Sequence, residues 1–132
     1  MNIIYKNKNK KKNNCYHVCL NILFHNEIET KTPTVNLIVQ LLDVTFEDVI
    51  DNVIYEIKKE IHVEDIQNNK LEFTFDVEIL DLERVYSYFI LIDVDKNNKI
   101  SIGDYISTER HLFEPQDNNV VSLSIKVERV YS

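Results

Sequence analysis

Apolar residues recur at every second position over much of the chain, the period of a strand with one buried face. Between Tyr16 and His25, Val18, Leu20, Ile22 and Phe24 alternate with His17, Cys19, Asn21 and Leu23. The polar stretch NEIETKTPT breaks this pattern at Pro33. A second strand is expected from Val35 to Leu42, with Val35, Leu37, Val39 and Leu41 on one face. Ile38 and Leu42 add apolar character to its other face, which marks a central strand. The segment DVTFEDVIDN is the least strand-like part of the early chain; Thr45 with Asp48 three residues on predicts a capped helical turn near 45–51.

VIYEIKKEIHV, 53–63, fits a strand through Val53, Tyr55 and Ile57, whereas the KKE run and the i, i+4 pair Glu56 and Glu60 would suit a solvated helix; the strand, with an exposed far end, is the favoured reading. HVEDIQNNK is a loop, and LEFTFDVEI alternates cleanly with Leu71, Phe73, Phe75 and Val77 inward. After the connection LDLER, the apolar VYSYFILID and the shorter ISIGDYIS flank DVDKNNK as a long hairpin. STERHLFEPQDNN is irregular, with a short edge segment around Leu112. The last strand, Val120 to Val130, sets Val121, Leu123, Ile125 and Val127 against Ser122, Ser124, Lys126 and Glu128. About seven strands separated by turn signals predict an all-β fold, an antiparallel β-sandwich with the one helical turn.

Composition supports this class. Of the 132 residues 44% are hydrophobic, yet Ala and Trp are absent, so the apolar content rests on residues that suit a pleated surface. The length fits one domain, 15–132, preceded by a basic arm, 1–14, read as a solvated tail with an electrostatic contact to a partner as the sharper alternative. A net charge of -7 disfavours nucleic acid and anionic lipid as partners of the domain and favours cations. No apolar run reaches transmembrane length, and CYHVCLNILF lacks the small-residue cleavage site of a secretory signal.

Catalytic chemistry finds little support. On one strand Cys15 and Cys19 stand ~13 Å apart, beyond disulfide reach. Cys15, His17 and Cys19 share a face at ~6.6 Å steps, too far apart to meet one zinc ion. Gly103 is the sole glycine, so no phosphate-cradling loop can be built. Asp43, Glu47, Asp48 and Asp51 read as solvated turn acids. The aromatic residues of the strands read as packing, and the protein is expected not to be an enzyme.

The strongest chemical pattern is DVDKNNKISIGD. On the twelve-position calcium loop, Asp93, Asp95 and Asn97 take positions 1, 3 and 5, Lys99 offers its carbonyl at 7, Ser101 stands at 9 and Asp104 at 12. Hard oxygen ligands at alternate positions of a tight turn converge on one ion. Position 6 is Asn98 where the turn calls for glycine, and Asp104 is shorter than the usual Glu. Ile100 is expected to point into the core and hold the loop. The flanks are strands, so the candidate site is a low-affinity structural Ca²⁺ clip without a helix-opening switch. The plainer reading is a hairpin turn whose Asp and Asn side chains cap its own amides.

The run VNLIVQLLDVTFEDVIDNVIYE, then LEFTFDVEI, then VYSYFILIDVDKNNKISIGDYIS and a closing strand resembles the YbaY-type lipoprotein family, which includes type III secretion lipoprotein chaperones similar to YscW. The matching features are the turn Asp43, Val44 and Thr45, the strand pair Val53 and Ile54, the aromatic pair Phe73 and Phe75, and Asp93, Asp95, Gly103, Asp104 and Tyr105 of a DxDxxGxxxxGDY-type loop. The resemblance runs from about Tyr16 to Val130. It implies a small β-sandwich of non-enzymatic, envelope-associated or chaperone-like character.

Neither Cys15 nor Cys19 follows a lipidation signal, so anchoring is not carried over. The expected location is the cytoplasm, or that of a soluble form of an envelope-associated protein. The expected function is a binding or structural module with a protein partner or a second copy of itself, as a homo-oligomer. The alternative is a self-assembling surface or appendage subunit whose N-terminal arm pairs with a neighbour's edge strand.

Overall fold

The computed structural model describes residues 14–46, 52–115 and 118–131. Eight strands follow one another: β1 (Cys15–Phe24), β2 (Thr34–Asp43), β3 (Asn52–His62), β4 (Lys70–Glu78), β5 (Tyr86–Asp93), β6 (Tyr105–Ser107), β7 (His111–Leu112) and β8 (Val120–Arg129). A single 3₁₀ turn, Val63–Asp65, lies between β3 and β4. The all-β expectation holds. Most of the helical turn expected near 45–51, like the basic arm before Asn14, lies outside the described residues.

The strands form one sheet in the order β3-β2-β5-β6-β8-β1-β4, with β7 paired to β5. It curls until it is nearly closed into a barrel. All ladders are antiparallel except one: β8 runs parallel to β1, with Val18 opposite Val121 and Ile22 opposite Ile125. That pair departs from the purely antiparallel arrangement expected. A parallel pair needs a crossover connection, and its register cannot be read from local turn chemistry.

Alternation decides which side chains enter the barrel. Val18, Ile22, Val35, Leu37, Ile90, Ile92 and Ile125 are fully buried, and Leu71, Phe73, Phe75 and Val77 face inward from β4 as expected. Tyr16 meets Phe113 edge-on at 5.2 Å between centroids, and Phe24 meets Tyr105 at 5.6 Å. β2 is central, hydrogen-bonded to β3 and to β5. Cys15, His17 and Cys19 lie on the outer face, where both cysteines are free and His17 pairs with Asp76 at 2.7 Å.

β3 and β4 are the ends of the sheet, and side chains bridge them. The Tyr55 ring of β3 stacks on Phe75 of β4 at 5.8 Å, its hydroxyl donates to the Asp76 carbonyl at 3.0 Å, and the Lys59 ammonium lies over the Phe73 ring. This seam shields two otherwise unpaired edges.

Truncating a residue at the centre of this interior is expected to cost far more than truncating one outside it. Ile90→Ala should lower the unfolding free energy by about 2–5 kcal/mol and Ile102→Ala by no more than about 0.5 kcal/mol, measured by urea denaturation. Equal losses would contradict the assignment of the core.

Candidate metal centre

The loop between β5 and β6 is built by backbone conformations that few residues adopt. Lys96 has φ 58°, Asn98 φ 64° and Gly103 φ 96°. Asn98 thus occupies the left-handed position that its side chain tolerates better than most. At Gly103 an added Cβ would meet nothing within 4 Å, so glycine is required there by backbone conformation and not by space. Its N–H donates to the Val130 carbonyl at 2.8 Å, and the Val130 N–H donates to the Asp104 carbonyl at 2.8 Å, returning the chain to the sheet.

Two fully buried carboxylates organise this loop. Asp93 accepts from the Asn97 N–H at 3.3 Å and, on its other oxygen, from the Asn98 N–H at 2.7 Å. Asp104 accepts from the Val94 N–H at 2.9 Å and from the Ser101 N–H at 2.8 Å. Asp95 is exposed, and its carboxylate completes a group of three with oxygens within 4.8 Å of one another. Oxygens that share an ion at 2.3–2.6 Å fall within about 5 Å of one another, so the donor set fits a hard cation in spacing and in chemistry. The remaining residues singled out in the sequence form a hydrogen-bonded chain along the same loop. The Asn97 amide donates to Ser101 Oγ at 2.6 Å, the Lys99 N–H donates to Asn97 Oδ1 at 3.1 Å, and Ser101 Oγ lies 3.4 Å from the Lys99 carbonyl.

The loop's lysines do not neutralise this charge: among the described residues none of the three carboxylates is in an ion pair. The Lys96 ammonium is drawn instead to Glu60 of β3 at 2.9 Å and to the Thr34 hydroxyl of β2 at 2.6 Å. Lys58 of β3 donates to the Asn98 side chain. These contacts tie the loop to β2 and β3 across 36 to 62 residues of sequence and had no local signal. Ile100 is half exposed and does not enter the core. The hydrogen bonds of the turn to Asp93 and Asp104 hold the loop against the cost of its left-handed residues, so an apolar anchor is not needed.

Burial, followed by the neighbouring charges of Asp95 and Asp93, pushes the Asp104 carboxyl above the usual carboxylate range despite its two amide donors. At the other end of the barrel the balance is reversed for Asp43. The Thr45 hydroxyl and N–H, at 2.6 and 3.0 Å, hold its carboxyl below that range, with help from Arg84. Thr45 in turn accepts from the Val85 N–H. The turn after β2 and the connection after β4 therefore meet, which leaves Leu80 and Leu82 exposed.

An eight-stranded sheet curled almost into a barrel, with a strained acidic hairpin at one end, defines a small all-β module. Neither the family models nor the curated proteins compared with the chain give a match. Among solved structures the chain is similar to an alternative pilotin from the type II secretion system of Vibrio cholerae. The TM-score is 0.67 at 15% identity, covering 89% of this chain and 99% of the pilotin. A fimbrial assembly protein from Parabacteroides distasonis aligns with a TM-score of 0.48 at 12% identity, over 87% of this chain and 53% of that one. At these identities the likeness to the pilotin is one of fold. No helix among the described residues is long and apolar enough to cross a membrane.

Because the folded pKa of Asp104 lies above its unfolded value of ~3.9, the native state holds the extra proton between the two. Its contribution to stability in the ion-free protein therefore falls as pH rises through that window and is constant above it. An NMR titration of the Asp104 carboxyl carbon should place the midpoint above that of an ordinary aspartate. Asp95→Asn, which removes one of the neighbouring negative charges, should lower it. A wild-type midpoint at or below the usual value would refute this description of the loop.

Proposed function

We propose that the protein is a non-catalytic binding module of envelope-associated or chaperone-like character that recognises another protein, its fold steadied by a divalent cation in the 93–104 loop. The observation that carries the first part is the shared fold with a pilotin over nearly the whole of both chains. The sequence resemblance to secretion lipoproteins of the YbaY and YscW type points the same way. In support, the buried acids Asp93 and Asp104 serve as acceptors for the loop's own amides, and the described surface carries open grooves. One such groove, lined by Lys59, His62, Gln67 and Leu71, runs along the seam between β3 and β4.

The test is cross-linking capture of the folded full chain from a detergent extract of its source cells, with a denatured sample of the same chain as control. The expected result is one envelope protein retained in stoichiometric amount by the folded chain alone. Retention of nothing beyond the control would sink the reading.

The cation part rests on the three unneutralised carboxylates, of which Asp95 is exposed while Asp93 and Asp104 are already aimed by backbone amides. Ca²⁺ is the ion expected, at the weak end of the range, with a Kd of about 10⁻⁴–10⁻³ M. Asp95 holds no loop amide, so Asp95→Ala removes a ligand while leaving the fastening of the turn in place. Titration calorimetry and thermal melts with Ca²⁺ should show binding heat and a raised Tm for the wild type, both lost in the variant. No heat and no shift at millimolar Ca²⁺ would leave the loop as a self-capped hairpin.

A further inference from the structure

The sheet is interrupted a second time, between β7 and β8. β8 meets β6 only through Val127, Glu128 and Arg129, while its earlier residues, 120–126, are paired to β1 alone. Among the described residues β7 pairs with β5 and with no other strand. Between them lies an opening of about 300 Å³, with Arg110, His111 and Leu112 on one wall and Val121, Ser122 and Leu123 on the other. A change of register precedes it. From Leu91 to Tyr88 β5 advances three residues while its partners advance five, from Ile106 to His111, so two extra residues bulge out within 107–110.

Both walls direct backbone groups into the opening. The His17 N–H donates to the Asn119 carbonyl and the Val130 N–H to the Asp104 carbonyl, which sets the parity of β8: odd-numbered residues turn their N–H and C=O groups to β1, even-numbered ones to the other side. Ser122 and Ser124 therefore present these groups where no ladder meets them. On β7 the Phe113 N–H donates to the Tyr86 carbonyl, so Leu112 turns its own pair away from β5 and toward the same opening. His111 Nε2, on that wall, is buried with no partner among the described residues.

We infer that this opening admits one extended segment of a partner protein, which completes the sheet as a strand between β7 and β8. This rests on the protein-recognising role proposed above and names the form the partner takes. The occupant follows from the walls. Free N–H and C=O groups stand along two facing edges, and a strand is the element that answers both edges at once. The edge of a second folded copy is disfavoured, because an edge strand still attached to its own sheet has only one free side. Guest side chains that point inward meet His111, Val121 and Leu123, so the segment carries apolar residues at alternate positions and no proline.

The test pans a phage-displayed library of random dodecapeptides on the folded full chain. Selected peptides should show the alternating apolar pattern, and a synthetic copy should slow hydrogen exchange of the Leu112, Ser122 and Ser124 amides at least tenfold by NMR. Ser124→Pro deletes an N–H that faces the opening and leaves the ladder to β1 intact, so it should weaken peptide binding at least tenfold, ~1.4 kcal/mol, with an unchanged Tm. Leu112→Pro makes the same test from the other wall if Ser124→Pro does not fold. Failure to select any peptide, protection confined to other amides, or full affinity in the folded proline variant each overturns the assignment, as does a dimer of the chain alone in which these amides are protected. Cross-linking capture separates this from the broader reading. An envelope protein retained equally by wild type and Ser124→Pro leaves protein recognition standing and removes the opening as its site, whereas retention by neither removes both.

Discussion

The structure depends on closure. Among the described residues no helix lies over the sheet, so the apolar face of every strand can be buried only against other parts of the same sheet. The sheet therefore curls, and its inner face becomes a continuous core of β-branched and aromatic side chains. What remains is the pair of unsatisfied edges on β3 and β4, which Tyr55 closes by stacking on Phe75 and donating to the Asp76 carbonyl. The barrel is completed by side chains where the backbone ladder stops.

Closure also sorts the chemistry to two ends. β5 delivers Asp93 to one end, where the hairpin returns through Gly103 and Asp104. The result is a cluster of carboxylates in which Asp93 and Asp104 already hold backbone amides and Lys96 of the loop is drawn away to Glu60. The turns after β2 and β4 meet at the other end, and there Thr45, Asp43 and Arg84 knit two connections together beneath exposed leucines. One end offers oxygen ligands and the other an apolar contact surface.

Much of this was legible along the chain. The inward faces of β1, β2, β4 and β8 follow from a period of two, because burial of one sheet face imposes that period on the sequence. The strand reading of 53–63 succeeded for the same reason, β3 running Asn52–His62, although Lys58, Lys59 and Glu60 would have suited a helix surface. The gathering of Asp93, Asp95 and Asp104 was legible because all three lie within twelve positions of one hairpin. Ile100 was misread, since its apolar character gave no indication that the loop is held by Asp93 and Asp104 instead. Leu80 and Leu82 stand in the connection LDLER, and their exposure has no counterpart in the strand period.

The amino-acid sequence by itself determined the class of fold, the faces that are buried and the residues of the acidic hairpin, because each rests on neighbours within a few positions. The tertiary structure alone decided the parallel pairing of β8 with β1, the curl that brings β3 to β4, the lysine contacts that anchor the loop, and the meeting of two apolar turns at the far end. Those features join residues dozens of positions apart. Their energies come from contacts that exist only once the sheet has closed, and no local pattern can carry them.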